Sequence, residues 1–373
     1  MDITVRELRE LKEGSYILLD IRKESERKLG EIPGSLVCSE DDISEVSKGY
    51  ADRKLIVFCH QGIESRELAD MLRENGYDAY NLQGGYLAYL VEEIEDNELA
   101  VINDKATRSI HDRFKKTLWS AFIKAVKTYR LVNEGDSIGV CISGGKDSML
   151  MAKLFSEYHK YSDVHFDVHY IVMDPGYAPE NRSLIENNAR KLGIPVEIFE
   201  SSIFDSVLHV EKSPCYLCAR MRRGHLYSYA KSLGCNKISL GHHYDDVIET
   251  TLMGMLYGGQ IQSMMPKLHS TNFEGMELIR PLYYIREDTI KAWRDYNDLH
   301  FLQCACKFTN TCSLENGNET GSKRVEIKNL IRELKKTNPY IEQNIFKSME
   351  NVSLDTVLAY KSKGVRHSFL ENY

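Results

Sequence analysis

"SIGVCISGGKDSML", residues 137–150, decides the fold. A short apolar run rich in isoleucine and valine stops at Ser143-Gly144-Gly145-Lys146-Asp147-Ser148, and helix-forming residues follow. A loop joining a strand's carboxyl end to a helix's amino end holds anions well. Free backbone N–H groups point outward there, and the helix dipole adds partial positive charge. Two glycines let the backbone curl closely around phosphate. Lys146 adds a full charge, and Ser143 and Ser148 add hydroxyl donors. Asp147 would repel bare phosphate, so its role is a metal contact or orientation of the loop. The spacing differs from a Walker A loop, which places four residues between its first Gly and Gly-Lys.

Outward from this loop, strands and helices alternate. "DVHYIVMD" (167–174), "PVEIF" (195–199) and "KISLGHH" (237–243) read as strands, with a helix through about 192. Near-continuous apolar strands separated by helices predict a doubly wound parallel sheet. Upstream, Phe114, Leu118, Phe122 and Val126 recur every fourth residue and predict a helix. Downstream, Ile327, Leu330, Ile331 and Leu334 form a helical stripe, with Lys328, Arg332, Lys335 and Lys336 away from it. The front of the chain repeats the alternation on a smaller scale. "SYILLD" (15–20), "KLIVF" (54–58) and "YDAYNL" (77–82) read as strands, and 65–76 as a helix closed by Asn75-Gly76. Between the two lies a polar, acidic stretch without clear period. The expected architecture is α/β in two domains: a small one over 1–95, a linker over 96–108, a larger one over 109–320 and a C-terminal helical extension over 321–373.

Charge divides the same way. Residues 1–100 carry 12 Lys and Arg against 23 Asp and Glu, a net of −11, while the remainder carries 36 against 32, a net of +4. An acidic front repels polyanions; the rear can hold one locally. No run of 18 apolar residues predicts a membrane span, and the charged start, "MDITVRELRELKEG", is no secretory signal. The expected compartment is the cytoplasm. Nine cysteines in a reducing compartment point to catalysis or metal ligation rather than disulfides. Cys38, Cys141 and Cys235 sit in apolar surroundings and read as buried small hydrophobes.

Two further clusters carry chemistry. "GHHYDD", Gly241–Asp246, follows a strand and precedes a helix. Adjacent carboxylates Asp245 and Asp246 at a sheet's carboxyl edge require a cation, and Mg²⁺ on nucleotide phosphates would serve. "SPCYLCARMRRGHLY" sets Cys215 and Cys218 two residues apart, followed by Arg220, Arg222 and Arg223. "FLQCACKFTNTC" adds Cys304, Cys306 and Cys312. Two plus two ligands would close a zinc site; two plus one would hold an iron–sulfur cluster with one iron open. Spacing alone leaves both available.

Ser143–Ser148 resembles the signature of the PP-loop ATP pyrophosphatases, which adenylate a carbonyl oxygen, and Gly241-His242-x-x-Asp245-Asp246 resembles a block of those acting on tRNA. From about 109 to 360 the chain is similar to the tRNA 2-thiocytidine synthetases (the TtcA family). "EGDSIGVCISGGKDSML", "CYLCARMRRGHLY", "ISLGHHYDDVIETTLMGMLYGG", "MMPKL" and "IRPLYYIRE" occur in that family's order. The resemblance implies ATP bound by Ser143, Gly144, Gly145, Lys146, Asp147, Ser148, Gly241 and His242, with Asp245 and Asp246 at the catalytic centre. It implies a [4Fe-4S] cluster on Cys215, Cys218 and Cys304, with Cys306 as second choice for the third ligand and zinc as the alternative metal. It further implies tRNA as partner, for which Arg222 and Arg223, with Tyr216, Tyr227 and the basic helix at 324–336, are the candidate contacts.

"LLDIRKESERKLGEIPGS" and "IVFCHQGIESRELADMLRENGYDAYNLQGGY" resemble a single rhodanese domain, whose loop cysteine carries a persulfide. Cys59 holds that position. Gly62 permits the curl, and the helix from Ser65 adds dipole stabilisation. Two departures stand out: Glu31 replaces the usual histidine of the Gly-His-Ile-Pro-Gly block, and Glu64 stands at the loop's usual arginine, with Arg66 two places on. The combined expectation is an ATP-dependent tRNA sulfurtransferase that makes 2-thiocytidine, with sulfur relayed through Cys59. The alternatives are thiolation of a uridine, a small molecule or a carrier protein, and a non-catalytic iron–sulfur redox sensor. Expected partners are tRNA and a sulfur donor such as a cysteine desulfurase, with a homodimer allowed and no membrane.

Overall fold

The computed structural model describes the 373-residue chain except Leu29, 202–213, 303–322 and 372–373; for 214–220 it describes the backbone alone. The described chain forms two compact units, Met1–Val101 and Ile102–Tyr373. The stretch assigned to a linker, 96–108, is helical: it lies within the helix Gly85–His111, and the division between the units falls inside it.

The first unit is a five-stranded, wholly parallel sheet. Its strands are β1 (Asp2–Ile3), β2 (Tyr16–Asp20), β3 (Leu36–Val37), β4 (Lys54–Phe58) and β5 (Ala79–Leu82), in the order β1-β5-β4-β2-β3. Central β4 explains its own sequence. Leu55 and Val57 pack with Ala69 and Leu72 on one face, and Ile56 and Phe58 with Ile3, Leu8 and Tyr86 on the other. A strand buried on both faces has no polar positions to alternate with, so it reads as a continuous apolar run. Each of these side chains contributes roughly 1.5–3 kcal/mol by burial. At the end of β2, Asp20 and Arg22 form a fully buried fork, 2.7 Å at its shorter arm, with the guanidinium 3.9 Å from the Tyr86 ring centre.

The main sheet of the second unit has six strands among the described residues: β6 (Ser137–Ile142), β7 (Asp167–Asp174), β8 (Val196–Glu200), β9 (Lys237–Ser239), β10 (Lys267–His269) and β11 (Glu277–Ile279). Their order is β10-β11-β9-β6-β7-β8, parallel except for the β10–β11 pair. The chain runs outward from β6 through the helix Lys146–Tyr161 to β7 and through Pro179–Lys191 to β8. The helix Pro214–Ser232 then precedes β9, on the other side of β6. This reversal brings the carboxyl ends of β6 and β9 side by side, the switch point at which doubly wound sheets bind ligands. The expected fold is thus present, and both quoted motifs sit at that point.

Two details depart from the sequence reading. Of the stripe on the helix Lys323–Thr337, Ile327 and Ile331 are buried while Leu330 and Leu334 are more than a third exposed. The C-terminal extension is α-helical only through Ser348; a 3-10 turn (Leu354–Thr356), a hairpin, β12 (Ala359–Ser362) with β13 (Val365–Ser368), and a second 3-10 turn (Phe369–Glu371) follow. Lys363 and Gly364 both take positive φ in the hairpin's two-residue turn. Among the described residues, no helix is long and apolar enough to cross a membrane.

Candidate active site

Strand β6 ends at Ile142, and Gly145 caps the helix Lys146–Tyr161 without a side-chain hydrogen bond of its own. The first-turn N–H groups of that helix have no partner within it and face outward. Gly144 sits at φ +84°, and a Cβ there would meet Ile185 Cγ1 at 2.7 Å, so backbone and space both demand glycine. Ser148 serves the loop itself. Its hydroxyl donates to the Gly145 carbonyl at 2.9 Å and accepts from the Ser143 N–H at 3.1 Å. That proton is therefore committed to the loop; Ser143 Oγ, 3.1 Å from Ser148 Oγ, donates to it, and the phosphate donors that remain are Lys146 and the backbone. Gly241, arriving from β9, lies so close that a Cβ would stand 3.1 Å from the Ser148 amide nitrogen. The two motifs form one cradle.

The carboxylate pair is organised differently from the sequence expectation. Asp245 accepts from Arg286 at 2.9 and 3.3 Å and from the Glu287 backbone N–H at 2.7 Å. Asp246 accepts from the His243 N–H at 3.0 Å, closing the N-terminus of the helix Tyr244–Gly258, and pairs with Arg324 at 3.3 Å. Arg324 also reaches Glu249 at 3.1 Å. The cations that neutralise the pair are thus two arginines from distant segments. These contacts tie Asp245 to the frame of the site. The acidic atom left for a cation is Asp147 Oδ1, which is buried without a hydrogen-bond partner among the described residues. No cluster of three or more metal-ligating side chains occurs among the described residues. Asp245→Ala should strand the Glu287 N–H and one arm of Arg286. It should cost about 2 kcal/mol, lowering the thermal midpoint by on the order of 5 °C; a calorimetric shift under 1 °C contradicts this framing role.

Beside the cradle lies a cavity of about 380 Å³, lined in part by Ser143, Asp147, Arg222, Arg223, His242 and Asp246. Burial, then the nearby Arg280 guanidinium, pushes the His242 imidazole down to about 4, so it is neutral at pH 7. Its Nδ1 accepts from Arg280 Nε at 3.4 Å. Burial and Arg223 in turn lower Arg280 to about 10, still charged at pH 7. A buried guanidinium facing a second one is costly until an anion arrives. Cys141 also lines the cavity, but burial raises its thiol to about 12 and leaves it inert. Tyr227, a candidate RNA contact, is instead a core residue stacked on Phe273 at 5.1 Å.

Sequence reasoning missed the hub of the site. Glu287 pairs with Lys146 at 3.3 Å, Lys291 at 3.2 Å and Lys328 at 2.6 Å. Burial would raise its carboxyl, but hydrogen bonds from Lys328 and Lys291 override this and hold it at about 2. Lys328, read from sequence as surface decoration, therefore points at the phosphate loop's neighbour. Arg286 and Glu287 stood within the quoted block "IRPLYYIRE", the one signal that could have found them.

The second motif site lies in the first unit. Cys59 follows β4, is buried, and accepts from the Gly62 N–H at 3.1 Å. Gly62 sits at φ +73°, with Leu82 O and the amides of Gly84 and Gly85 within 3 Å of where a Cβ would be. Burial opposes ionisation of the Cys59 thiol, yet the Ser65 hydroxyl and the backbone amides of Ser65, Gln61 and Ile63 draw it below the ordinary value. Cys38, Cys141 and Cys235 are buried and shifted the other way, mainly by burial. Arg66 does not replace the missing loop arginine at Glu64; it pairs with Asp2 at 2.7 Å. Cys304 and Cys306 lie outside the described residues, as do the side chains of Cys215, Cys218 and Tyr216.

A glycine cradle at the switch point, with a Gly-His loop and a guanidinium-lined cavity, defines a PP-loop nucleotide-binding enzyme. Residues 114–312 match the PP-loop domain family and residues 4–92 the rhodanese-like domain family. The tRNA-cytidine(32) 2-sulfurtransferase of Psychrobacter cryohalolentis is 34% identical over 270 residues, covering 70% of this chain and 67% of that protein. Its counterpart in Coxiella burnetii is 35% identical over 243 residues, 64% of this chain and 91% of that protein. Among solved structures, the U34-tRNA thiolase NcsA from Methanococcus maripaludis, described with its [4Fe-4S] cluster, is similar at 22% identity and a TM-score of 0.49, covering 62% of this chain and 76% of that one. The chain belongs to the tRNA-cytidine(32) 2-sulfurtransferase family, with a rhodanese-like domain at its amino end. It is a sulfurtransferase that uses ATP.

Proposed function

We propose that the chain thiolates a cytidine of tRNA at C2. ATP lies with its phosphates on the Ser143–Lys146 cradle and against Arg222, Arg223 and Arg280. The C2 carbonyl oxygen attacks the α-phosphate, pyrophosphate leaves, and the base carries AMP on that oxygen. A sulfur nucleophile then adds to C2 and AMP departs. Lys146 and the first-turn N–H groups stabilise charge that builds on the phosphates, and they need no reorganisation to do so. Mg²⁺ would arrive with the nucleotide and find Asp147. The observation that carries the reading is the cradle opening beside a cavity lined by the Arg222 and Arg223 guanidinium groups, with buried Arg280 behind His242.

Cys59 supplies the sulfur in this reading. A donor persulfide, R–S–S⁻, transfers its terminal sulfur to the Cys59 thiolate. This yields R–S⁻ and a Cys59 persulfide anion, with no net redox change. Two reductant thiols, R′–SH, then break the Cys59 S–S bond: they leave joined as the disulfide R′–S–S–R′, the outer sulfur leaves as hydrogen sulfide, and the Cys59 thiolate is restored. Cys215, Cys218 and Cys304 remain the proposed holders of the [4Fe-4S] cluster on their resemblance to the family's ligands; when bound, the cluster would supply a thiophilic metal for sulfide. Arg222 and Arg223 serve tRNA phosphate as well as ATP.

The test is mass spectrometry of nucleosides from tRNA incubated with the purified, cluster-loaded enzyme, ATP and sulfide. The expected product is 2-thiocytidine, formed only with ATP. Thiouridine, or no thiolated nucleoside, overturns the assignment of the base.

A further inference from the structure

The loop cysteine is not alone in its pocket. Ser65 Oγ lies 3.4 Å from Cys59 Sγ and 2.7 Å from Asn81 Oδ1. A hydroxyl has one proton, so it cannot donate to both. The orientation of the Asn81 amide decides the matter. Its Nδ2 donates to Asp2 Oδ1 at 2.8 Å and to the Gly62 carbonyl at 3.1 Å. Reversing the amide would press its oxygen against two acceptors, so Oδ1 must face Ser65. Asp2 is in turn gripped by the Arg66 fork at 2.7 and 3.3 Å. Asn81 and Ser65 are fully buried, so an unmet Oδ1 has no water to turn to.

We infer that Asn81 is a positioning residue that competes with the Cys59 sulfur for the Ser65 proton. In the thiol form the Ser65 hydroxyl donates to Asn81 Oδ1 and shows Cys59 its lone pairs. When the sulfur becomes a thiolate, or the anion of a persulfide, the hydroxyl rotates and donates to it. A charge-assisted hydrogen bond outweighs a neutral one, which makes the rotation favourable only while the charge is present. The depressed Cys59 thiol is consistent with a donor available on demand. This deepens the sulfur-relay reading and rests on it for its purpose: the pocket grips sulfur when it is charged and releases its donor when it is not.

The other charged groups around the cysteine are His60 and Glu64 along the loop and helix, Arg66 and Asp2 on the far side of Asn81, and Asp20 at the end of β2, which Arg22 neutralises. None of them is removed by a change at Asn81 or Ser65, although Asp2 loses the Asn81 hydrogen bond.

The experiment is the pH dependence of Cys59 alkylation by iodoacetamide in the full chain, followed on the Cys59 peptide by mass spectrometry. Asn81→Ala should lower the midpoint by about one pH unit, the value of one hydrogen bond released to the thiolate. Ser65→Ala should raise it. The double variant should match Ser65→Ala alone, because the influence of Asn81 passes through Ser65. An Asn81→Ala shift that persists undiminished in the Ser65→Ala background, or no shift at all, overturns the inference. Should Asn81→Ala not fold, Asp2→Asn at the surface frees the amide to reverse. It should lower the midpoint by about half a pH unit, and most of that should vanish with Ser65→Ala; equal shifts in both backgrounds would again be fatal. Failure of the relay itself is a separate result, seen as a Cys59→Ala variant that thiolates as fast as the native chain with a persulfide donor.

Discussion

Lys146→Ala releases pyrophosphate about 10³-fold more slowly than the native chain in the presence of ATP and tRNA. The argument starts from position. Lys146 is the first residue of the helix Lys146–Tyr161, so its ammonium works where the dipole and free amides already favour phosphate. In the ligand-free structure it is held by Asp147 at 3.1 Å and Glu287 at 3.3 Å. Neither contact is needed to keep the fold. Glu287 retains Lys291 and Lys328 when Lys146 is removed, and Lys146 is itself partly exposed. The loss therefore falls on the reaction and not on stability. Thermal unfolding should move by less than about 2 °C. Arginine should recover only part of the rate, because its planar fork does not replace a point charge at the end of a flexible stem. A Lys146→Ala rate within tenfold of native would remove the cradle from the chemistry.

What the sequence disclosed follows from how locally each feature is encoded. Strand β6 was legible over its full length, because 138–142 is buried from both sides and carries no polar alternation. The cradle was legible because Gly144 answers to two local demands, a positive φ and the lack of space beneath Ile185. Cys59 was legible because its place after a buried strand is itself the signal. The partners of Asp245 and Asp246 were not. Arg286 and Arg324 come from segments about 40 and 80 residues away, and an ion pair across that distance leaves no periodic mark. Lys328 shows the same limit: its spacing marks it as off the apolar stripe, but not which acid it faces. The stretch read as an aperiodic linker is helical: Ile102 and Ala106 pack into the second unit's core while Val101 is exposed, too short an apolar stripe to leave a clear period.

Cys59→Ala should reduce thiolation at least tenfold when sulfur is offered as a persulfide, and should leave the rate with free sulfide unchanged. The difference arises from where each donor enters. A persulfide must hand its sulfane sulfur to a thiolate before it becomes useful, and the Cys59 thiol, lowered by Ser65 and the loop amides against the effect of burial, is suited to that exchange. Gly62 donates to the same sulfur at 3.1 Å, so a terminal anion would meet amides rather than open water. Free sulfide needs none of this. The comparison controls for folding, since a variant that misfolded would lose both reactions. Cys59→Ser, which keeps the size of the side chain but forms no persulfide, should behave as alanine does. The sign of the pH dependence follows from the lowered thiol. Persulfide-driven thiolation should hold up toward acid pH further than an ordinary cysteine would allow, and fall as the Cys59 thiolate takes its proton. The sulfide-driven reaction of the Cys59→Ala variant lacks that fall. Equal losses with both donors would make Cys59 a structural residue, and no loss with either would leave the front domain as a docking module.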